Sequence, residues 1–380
     1  MQKKKKKVLV CLSGGVDSSV ATALLVKAGY DVTAAFMVNY DDKSGDKSCW
    51  RDDYHDALRV AAKLGIKLLR LDFVKEYNRD VLAYMYKEYE AGRTPNPDVL
   101  CNKFIKFGAW LDKAKKLGFD YLATGHYARL SSSRKRGSTV LDSRLHGNDN
   151  SVVYCVQEAK DKNKDQTYFL HQLNQEQLKN VLFPIGQYTK DQVRKLAKKF
   201  DLPTADKEES MGICFVGEVP MRSFLKNKIK VKTGNIVDES GKVLGQHDGL
   251  AYYTIGQRNL GLNSKDGRPM FVVDKNPQTN ELIVGSESSP LLFKKEILVG
   301  DENWVAGIAP KLPLKCQIRL RHRQELQLAT ICHSDRSEAK RRNPFVLLKI
   351  KFSKPQRAVT PGQFAVIYKG NLCLGGGVIL

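Results

Sequence analysis

The 380-residue sequence contains no apolar run of about 18 residues, and its cysteines are never spaced as C-x-x-C. The first absence argues against a transmembrane helix. The lysine run Lys3–Lys7 is followed only by the short apolar stretch Val8–Leu12, so we expect no signal peptide and predict a cytoplasmic protein without membrane attachment. The second absence argues against a zinc ribbon or a cysteine-ligated iron–sulfur cluster. The cysteines are scattered, at positions 11, 49, 101, 155, 214, 316, 332 and 373.

Acidic residues are scarce relative to basic ones. The 41 Asp and Glu residues stand against 63 Lys and Arg, which gives a formal net charge of +22. Because no basic amphipathic helix stands out, this charge favours a polyanionic partner over a membrane. Basic inserted segments are the alternative explanation. The hydrophobic share of 42% is ordinary, and a chain of 380 residues is long enough for two or three domains with a full core.

The strongest local pattern lies near the N-terminus, where Val8–Leu12 leads directly into Ser13–Ser19, which reads SGGVDSS. The apolar run predicts a buried strand, and the spacing from Ser19 to Ala28 predicts a helix that ends at Gly29. A strand, a glycine turn and a helix N-terminus together form an anion site, because glycines allow close backbone approach and the helix dipole favours negative charge. No lysine follows the glycines, so this is not G-x-x-x-x-G-K-[ST]. A glycine-rich turn without a ligand is the alternative.

Strands and helices continue to alternate as far as residue 124. Such alternation predicts a parallel sheet with right-handed crossovers, and ligands bind these sheets at the carboxyl ends of the strands. We therefore expect one crevice to be shared by the loops Ser13–Ser19, Met37–Tyr40, Asp72–Phe73 and Gly125–His126. The pattern also predicts helices over residues 52–64, 76–91, 102–117 and 166–180, and a helix capped by Thr189 and Gln192.

From Gly212 onward the sequence changes to short apolar runs separated by turn signals. Hairpin turns are predicted at Asp238–Gly241 and Asn276–Asn280, and a type II turn at Thr360–Gln363. The predicted fold class is α/β, with a parallel-sheet domain over residues 1–211, a small central mostly-β module over 212–288 and a C-terminal β-barrel-like domain over 289–380. Two polar segments, about residues 131–152 and 329–346, indicate surface insertions.

A basic strand is predicted over residues 315–323. Alternation places Lys315, Arg319, Arg321 and Arg323 on one of its faces. Such a face could hold a phosphate backbone, and a plain solvated face is the alternative.

A second distinctive segment, Arg93–Asn102, carries two prolines within three residues and a cysteine beside a predicted helix. The prolines predict a stiff loop. The place of Cys101 near a helix N-terminus predicts a lowered thiol pKa and a reactive thiolate. A buried inert cysteine is the alternative. Cys214, within the apolar segment Gly212–Gly217, indicates by itself only a core cysteine.

Together these segments resemble the bacterial tRNA-specific 2-thiouridylases, which belong to the PP-loop ATP pyrophosphatases. The resemblance is carried by SGGVDSS, FMVNY, GRTPNPDVLCNKFIKF, ATGHYA, KDQTYFL, GICFVGE, TPGQFAVIY and CLGGG, and it runs from about residue 6 to residue 380 apart from the two insertions. SGGVDSS alone would indicate only the PP-loop class. The chain departs from the usual family residues at Cys11, Val38, Tyr40 and His322.

The resemblance implies an enzyme that replaces the C2 oxygen of the wobble uridine by sulfur in the tRNAs for Lys, Glu and Gln. ATP, with Mg²⁺, would adenylate that oxygen. Sulfur would come from a cysteine desulfurase or a relay protein and be carried as a persulfide on Cys214. Cys101 would attack the persulfide, either releasing sulfide or assisting transfer, which leaves a Cys101–Cys214 disulfide. Asp98 would act on the target base.

The resemblance also implies two sets of binding residues. Those at the ATP site are Cys11, Leu12, Ser13, Gly14, Gly15, Val16, Asp17, Ser18, Met37 and Gly125. Those that contact tRNA are Asn96, Pro97, Asp98, Lys164, Asp165, Gln166, Arg321 and His322.

Three other functions fit parts of the sequence. A PP-loop ligase or amidotransferase acting on a small acid would require neither two such cysteines nor a charge of +22. An RNA-binding protein with a relic nucleotide site would not require Ser13, Asp17, Asp98 and both cysteines together. A tRNA cytidine thiolase would be expected to carry C-x-x-C pairs, which are absent.

Overall fold

The computed structural model describes residues 5–40, 50–134, 152–208, 221–226, 228–258, 260, 267–334 and 347–380. Cys214 and most of both predicted insertions lie outside the described residues. Within the described ranges, no helix has both the length and the apolar character needed to cross a bilayer.

The N-terminal domain is built on a parallel sheet. Its elements are β1 (Lys7–Cys11), α1 (Val16–Lys27), β2 (Asp31–Val38), α2 (Arg51–Lys63), β3 (Leu68–Asp72), α3 (consecutive segments Val74–Tyr77, Asn78–Leu82 and Ala83–Glu90), α4 (consecutive segments Pro97–Leu100, Cys101–Ala109 and Trp110–Lys116), β4 (Tyr121–Ala123), β5 (Ala128–Arg134), β6 (Val152–Glu158), α5 (Gln175–Leu178), β7 (Val181–Leu182) and α6 (Lys190–Lys199).

Five of these strands form the sheet in the order β3-β2-β1-β4-β7, and all pairings are parallel. This confirms the predicted α/β class. β1 is buried from Val8 to Val10, as expected of a central strand covered on both faces. The direction of winding changes between β1 and β4, so the loops after these two strands border the crevice where ligands of such sheets bind.

The central module contains α7 (Met221–Lys226) and the strands β8 (Gly234–Asp238), β9 (Val243–His247), β10 (Phe271–Asn276) and β11 (Glu281–Gly285). Its sheet has the order β10-β11-β8-β9. The antiparallel pairs β8–β9 and β10–β11 confirm the two predicted hairpin turns.

The C-terminal domain is a closed antiparallel barrel. Its strands are β12 (Phe293–Trp304), β13 (Leu314–Arg319), β14 (Gln327–His333), β15 (Leu348–Arg357), β16 (Phe364–Lys369) and β17 (Leu372–Ile379). They run in the order β12-β15-β14-β13-β16-β17, and β17 pairs with β12 to close the barrel. β6 of the N-terminal domain pairs with the other side of β17, and one core cluster contains Leu9, Cys101 and Tyr368. The barrel is therefore packed directly against the N-terminal domain.

Two helix predictions need correction. The helix predicted over residues 102–117 begins earlier, at Pro97, because Asn96 caps it and proline suits the first helical position. The helix predicted over residues 166–180 is wrong. Thr167–Leu170 forms a single 3₁₀ turn, and α5 begins anew after Asn174, whose side chain takes part in a capping box.

The predicted insertions also begin later than expected. β5 and β6 pair as a hairpin as far as Arg134 and Val152, and β14 continues to His333. The polar composition of these segments concealed strand residues that pair with their neighbours.

Candidate active site

The glycine loop after β1 is held in shape by hydrogen bonds among its own residues. The Ser18 hydroxyl accepts from the Ser13 amide at 3.2 Å and donates to the Gly15 carbonyl at 3.0 Å. Gly14 has a φ of +80°, and a Cβ placed there would lie 2.2 Å from the Asp53 carbonyl oxygen. Only glycine fits this position. The loop leads into the N-terminus of α1, a 12-residue helix, which suits it to bind an anion.

The loop after β4 approaches this glycine loop closely. A Cβ on Gly125 would lie 2.8 Å from the Ser18 amide nitrogen, so the two backbones touch at the crevice between β1 and β4. Four apolar side chains of the predicted ATP set are buried, at Cys11, Leu12, Val16 and Met37, and Ser18 is buried as well. These four residues form walls behind the loop, whereas Ser13 is exposed at its surface.

Lys190 of α6 contacts the glycine loop at Asp17, and no sequence pattern indicates that it belongs to the site. Its ammonium donates to both carboxylate oxygens of Asp17, at 2.8 and 2.9 Å, and the Tyr127 hydroxyl donates to the same carboxylate at 2.8 Å. The Lys190 side chain is only 13% exposed. The predicted capping box at Thr189 is confirmed and makes Lys190 the first residue of α6. Topology alone, however, could not reveal that α6 begins beside α1.

Helix α4 extends from Cys101, the cysteine predicted to be reactive, towards the strand ends beside the glycine loop. The Trp110 indole of α4 donates to the Asn39 side chain beyond β2 at 3.1 Å. Burial raises the pKa of the Cys11 thiol and lowers that of His126 well below its usual range; the Lys106 ammonium of α4 acts on both groups, as a smaller effect. Lys106 therefore lies near the ends of both β1 and β4. Cys101 stands five residues before Lys106 in the same helical segment.

Cys101 is fully buried. It lies in the second turn of α4, and its amide bonds to the carbonyls of Pro97 and Asp98. The thiol is therefore one turn deeper in the helix than the sequence predicted. The reactive thiolate remains a prediction, as does its pairing with Cys214, which lies outside the described residues.

Asp98 lies in the first turn of α4, close enough to His322 of the predicted tRNA set to affect its pKa. Burial lowers the pKa of His322, and the nearby Asp98 carboxylate opposes this effect. A hydrogen bond of 2.9 Å joins His322 Nε2 to the Asp165 carbonyl oxygen, and the His322 ring lies 4.6 Å from that of Phe169. The loop after β13, the segment around Asp165 and the start of α4 thus converge.

Within that set, Asp165 has a largely internal environment. Its side chain is buried and accepts from Arg319 at 3.1 Å and from Thr167 at 2.7 Å, and Arg319 also bonds to Glu158. Burial raises the pKa of Asp165, against the hydrogen bonds that it accepts. Arg319 therefore does not share the exposed basic face predicted for residues 315–323.

The remaining members of the set are more accessible. Arg321 is exposed and donates to the Arg357 carbonyl oxygen, while Lys164 and Gln166 are half-buried. The Gln166 side chain accepts from the Tyr127 amide at 2.9 Å. This bond joins Gln166, a member of the predicted tRNA set, to Tyr127, whose hydroxyl also contacts Asp17. The tRNA contacts of all these residues remain predictions.

Three family models match the chain in succession. They are described as a tRNA methyl transferase HUP domain over residues 6–218, a tRNA methyl transferase PRC-barrel domain over residues 222–286 and an aminomethyltransferase β-barrel domain over residues 294–379.

Full-length relatives are also similar to this chain. The tRNA-specific 2-thiouridylase MnmA 1 of Geobacillus kaustophilus is 46% identical over 99% of this chain and 96% of its own length. The tRNA-specific 2-thiouridylase MnmA of Francisella tularensis subsp. novicida is 44% identical over 99% of both. Among solved structures, the U34-tRNA thiolase NcsA of Methanococcus maripaludis is 18% identical over 59% of this chain and 64% of its own, with a TM-score of 0.34, too distant to bear on the site. On its domain matches and its full-length similarity, this chain belongs to the tRNA-specific 2-thiouridylase MnmA family.

Proposed function

We propose that this protein is an ATP-dependent sulfurtransferase that converts the wobble uridine of tRNA to 2-thiouridine. The observation that carries the proposal is the course of α4. One helix carries Asp98 in its first turn near the predicted tRNA set, buries Cys101 in its second turn and brings Lys106 and Trp110 close to the ends of β1, β2 and β4. The proposed nucleotide site and the proposed sulfur-transfer site would thus share one helix.

The glycine loop would hold the phosphates of ATP during the first step. The uridine C2 oxygen attacks the α-phosphorus, the bond to the β-phosphate oxygen breaks and pyrophosphate leaves. The loop offers the N-terminus of α1 to the leaving group, and Lys190 balances the charge of Asp17 beside it. A carbonyl oxygen that leaves poorly is thereby converted into one that leaves as AMP.

Sulfur transfer would follow. The terminal sulfur of a Cys214 persulfide attacks C2, and AMP leaves with the former uridine oxygen. The Cys101 thiolate attacks the inner Cys214 sulfur, so that the persulfide S–S bond breaks, sulfur stays on the base and a Cys101–Cys214 disulfide forms. A thiol reductant must then restore both thiols. The buried place of Cys101 limits the access of other oxidants to its sulfur.

The tRNA would lie over the start of α4. Asp98 would face the extruded base, with Asn96 and Pro97 framing it. Lys164, Gln166 and Arg321 would contact the RNA with their side chains. Asp165 would act through its backbone and through the loop that it holds, because its carboxylate is engaged by Arg319.

The required partners follow from this chemistry. A cysteine desulfurase, directly or through a relay protein, would load Cys214. Mg²⁺ would be bound mainly by phosphate oxygens of ATP, since the described residues contain no group of three His, Cys, Asp or Glu side chains arranged to hold a metal ion. Because tRNA is the substrate, we propose a cytoplasmic location.

The test is nucleoside analysis of tRNA incubated with the protein, ATP, Mg²⁺, cysteine and a cysteine desulfurase. Wild type should form 2-thiouridine only with ATP, and Cys101→Ser should form none. Cys155→Ser is the matched control and should be as active as wild type, because Cys155 lies on β6 and is not part of α4. ATP cleavage without any thiolated base would contradict the proposal and favour the ligase or amidotransferase function.

A further inference from the structure

The loop that precedes α4 is held from three sides. We call residues 92–96 the proline loop; it connects α3 to α4 and ends at Asn96, two residues before Asp98. We infer that the β-barrel and the central module act as positioning elements that fix the proline loop, and with it Asp98 and Cys101, against the nucleotide site. This inference rests on the proposed function and concerns how its sulfur-transfer helix is aligned.

The barrel contributes the predicted turn at residues 360–363. The Thr94 amide donates to the Pro361 carbonyl oxygen at 3.0 Å. The Gln363 side-chain nitrogen donates to the carbonyl oxygens of Thr94 and Pro95, at 2.9 and 3.1 Å, and its oxygen accepts from Asn96 at 3.3 Å. The polar groups of the Gln363 side chain are therefore engaged within the protein. This arrangement fixes the backbone of the loop rather than leaving it to solvent.

Gly362 allows the turn to approach this closely. Its φ is +90°, as the predicted type II turn requires. The turn is closed by a hydrogen bond from the Gln363 amide to the Thr360 carbonyl oxygen. A Cβ on Gly362 would lie 3.0 Å from the Thr94 carbonyl oxygen. Any larger residue at this position would therefore push the barrel turn and the proline loop apart.

The central module holds the other end of the loop. The Lys275 ammonium donates to the Gly92 carbonyl oxygen at 3.0 Å, and the Thr254 and Thr94 hydroxyls lie 3.4 Å apart. Lys275 is half-buried, and burial lowers its pKa to about 8. A lysine in such surroundings is retained at a cost in desolvation, which is consistent with a specific positioning role.

The N-terminal domain completes the attachment through Arg93, whose guanidinium forms two hydrogen bonds to the Glu88 carboxylate at the end of α3. Each of the three structural units thus bonds to the five-residue loop. Asn96 both receives the Gln363 contact and caps α4, so a displacement of the barrel turn is transmitted directly to the first turn of the helix.

The test compares two alanine substitutions in the barrel. Gly362→Ala adds a methyl group against Thr94, whereas Gly370→Ala adds one at a similar positive φ with nothing within 4 Å. A Cβ 3.0–3.1 Å from Thr94 and Arg93 requires these neighbours to shift by a few tenths of an ångström, less than the misplacement of about 1 Å that can cost roughly 100-fold in rate. We therefore expect Gly362→Ala to lower kcat for 2-thiouridine formation by about 3- to 10-fold, with the Kd for tRNA changed less than twofold. Gly370→Ala should retain wild-type kcat.

A second measurement separates alignment from RNA contact. Alkylation of Cys101 by iodoacetamide, followed by peptide mass spectrometry without tRNA, should be at least fivefold faster in Gly362→Ala and in Lys275→Met than in wild type, because a loosened loop exposes the buried thiol. Equal alkylation rates in folded variants, or equal losses in kcat and in tRNA affinity, would overturn the inference. If wild type formed no 2-thiouridine, the proposed function would fail, while alkylation would still report on the attachment of the loop.

Discussion

Replacing Lys190 by methionine should weaken ATP binding while the fold is retained. The substitution keeps most of the aliphatic volume and removes the ammonium that contacts both Asp17 oxygens at 2.8 and 2.9 Å. The Asp17 carboxylate, 31% exposed, would then face incoming phosphates without a cationic partner in the described part of the chain, while it still accepts a hydrogen bond from the Tyr127 hydroxyl. A hydrogen bond to a charged group is worth about 1.5–3 kcal/mol, which corresponds to roughly 10- to 100-fold in affinity.

The assay is isothermal titration with a non-hydrolysable ATP analogue, supported by the KM for ATP in 2-thiouridine formation. Lys195→Met, on the exposed face of the same helix, is the matched control and should bind ATP as wild type does. The double variant Asp17→Asn/Lys190→Met should recover part of the lost affinity, because the unbalanced charge is then absent. Unchanged ATP affinity in Lys190→Met would show that the Lys190–Asp17 ion pair does not support ATP binding.

Three further perturbations test separate parts of the structure. Gly14→Ala should abolish ATP binding in the same titration, because its Cβ would lie 2.2 Å from a carbonyl oxygen, whereas Gly29→Ala, with a similar φ and open space, should bind normally. Arg319→Met should lower the free energy of unfolding by about 3–5 kcal/mol in urea titrations, because it leaves two buried carboxylates without their guanidinium; an effect no larger than that of exposed Lys315→Met would contradict this. Burial lowers the pKa of Lys275 from 10.5 to about 8, so between these pH values the folded protein binds fewer protons at this site than the unfolded chain does. The free energy of unfolding of wild type should therefore rise by about 3 kcal/mol relative to Lys275→Met as the pH increases from 8 to 10.5. Parallel pH profiles of Tm for the two proteins would exclude that contribution.

Local patterns predicted those features whose physical cause is local. The apolar run before the glycines predicted β1, the two turn signals predicted the hairpins of the central module, and Thr189 predicted the start of α6. Each depends on side chains within a few residues of the element. The early start of α4 was within reach too, because Asn96 followed by Pro97 is a strong helix-start signal.

Contacts between distant segments were not predictable in this way. Nothing local to Lys190 indicates Asp17 as its partner, 173 residues away, and nothing local to Arg319 indicates that it turns inward to Asp165. Alternation along a strand placed Arg319 on a solvated face, but β13 ends at that residue and a buried carboxylate from another domain attracts it. The attachment of the proline loop likewise depends on three units meeting in space.

The central claim is that ATP activates the uridine oxygen itself before sulfur arrives. The most direct measurement uses tRNA carrying ¹⁸O at C2 of the wobble uridine, incubated with wild-type protein, ATP, Mg²⁺ and a desulfurase-loaded sulfur source, with mass spectrometry of the released AMP. Adenylation of the uridine C2 oxygen predicts one ¹⁸O atom in AMP for each 2-thiouridine formed. AMP without ¹⁸O, accompanied by 2-thiouridine, would contradict it.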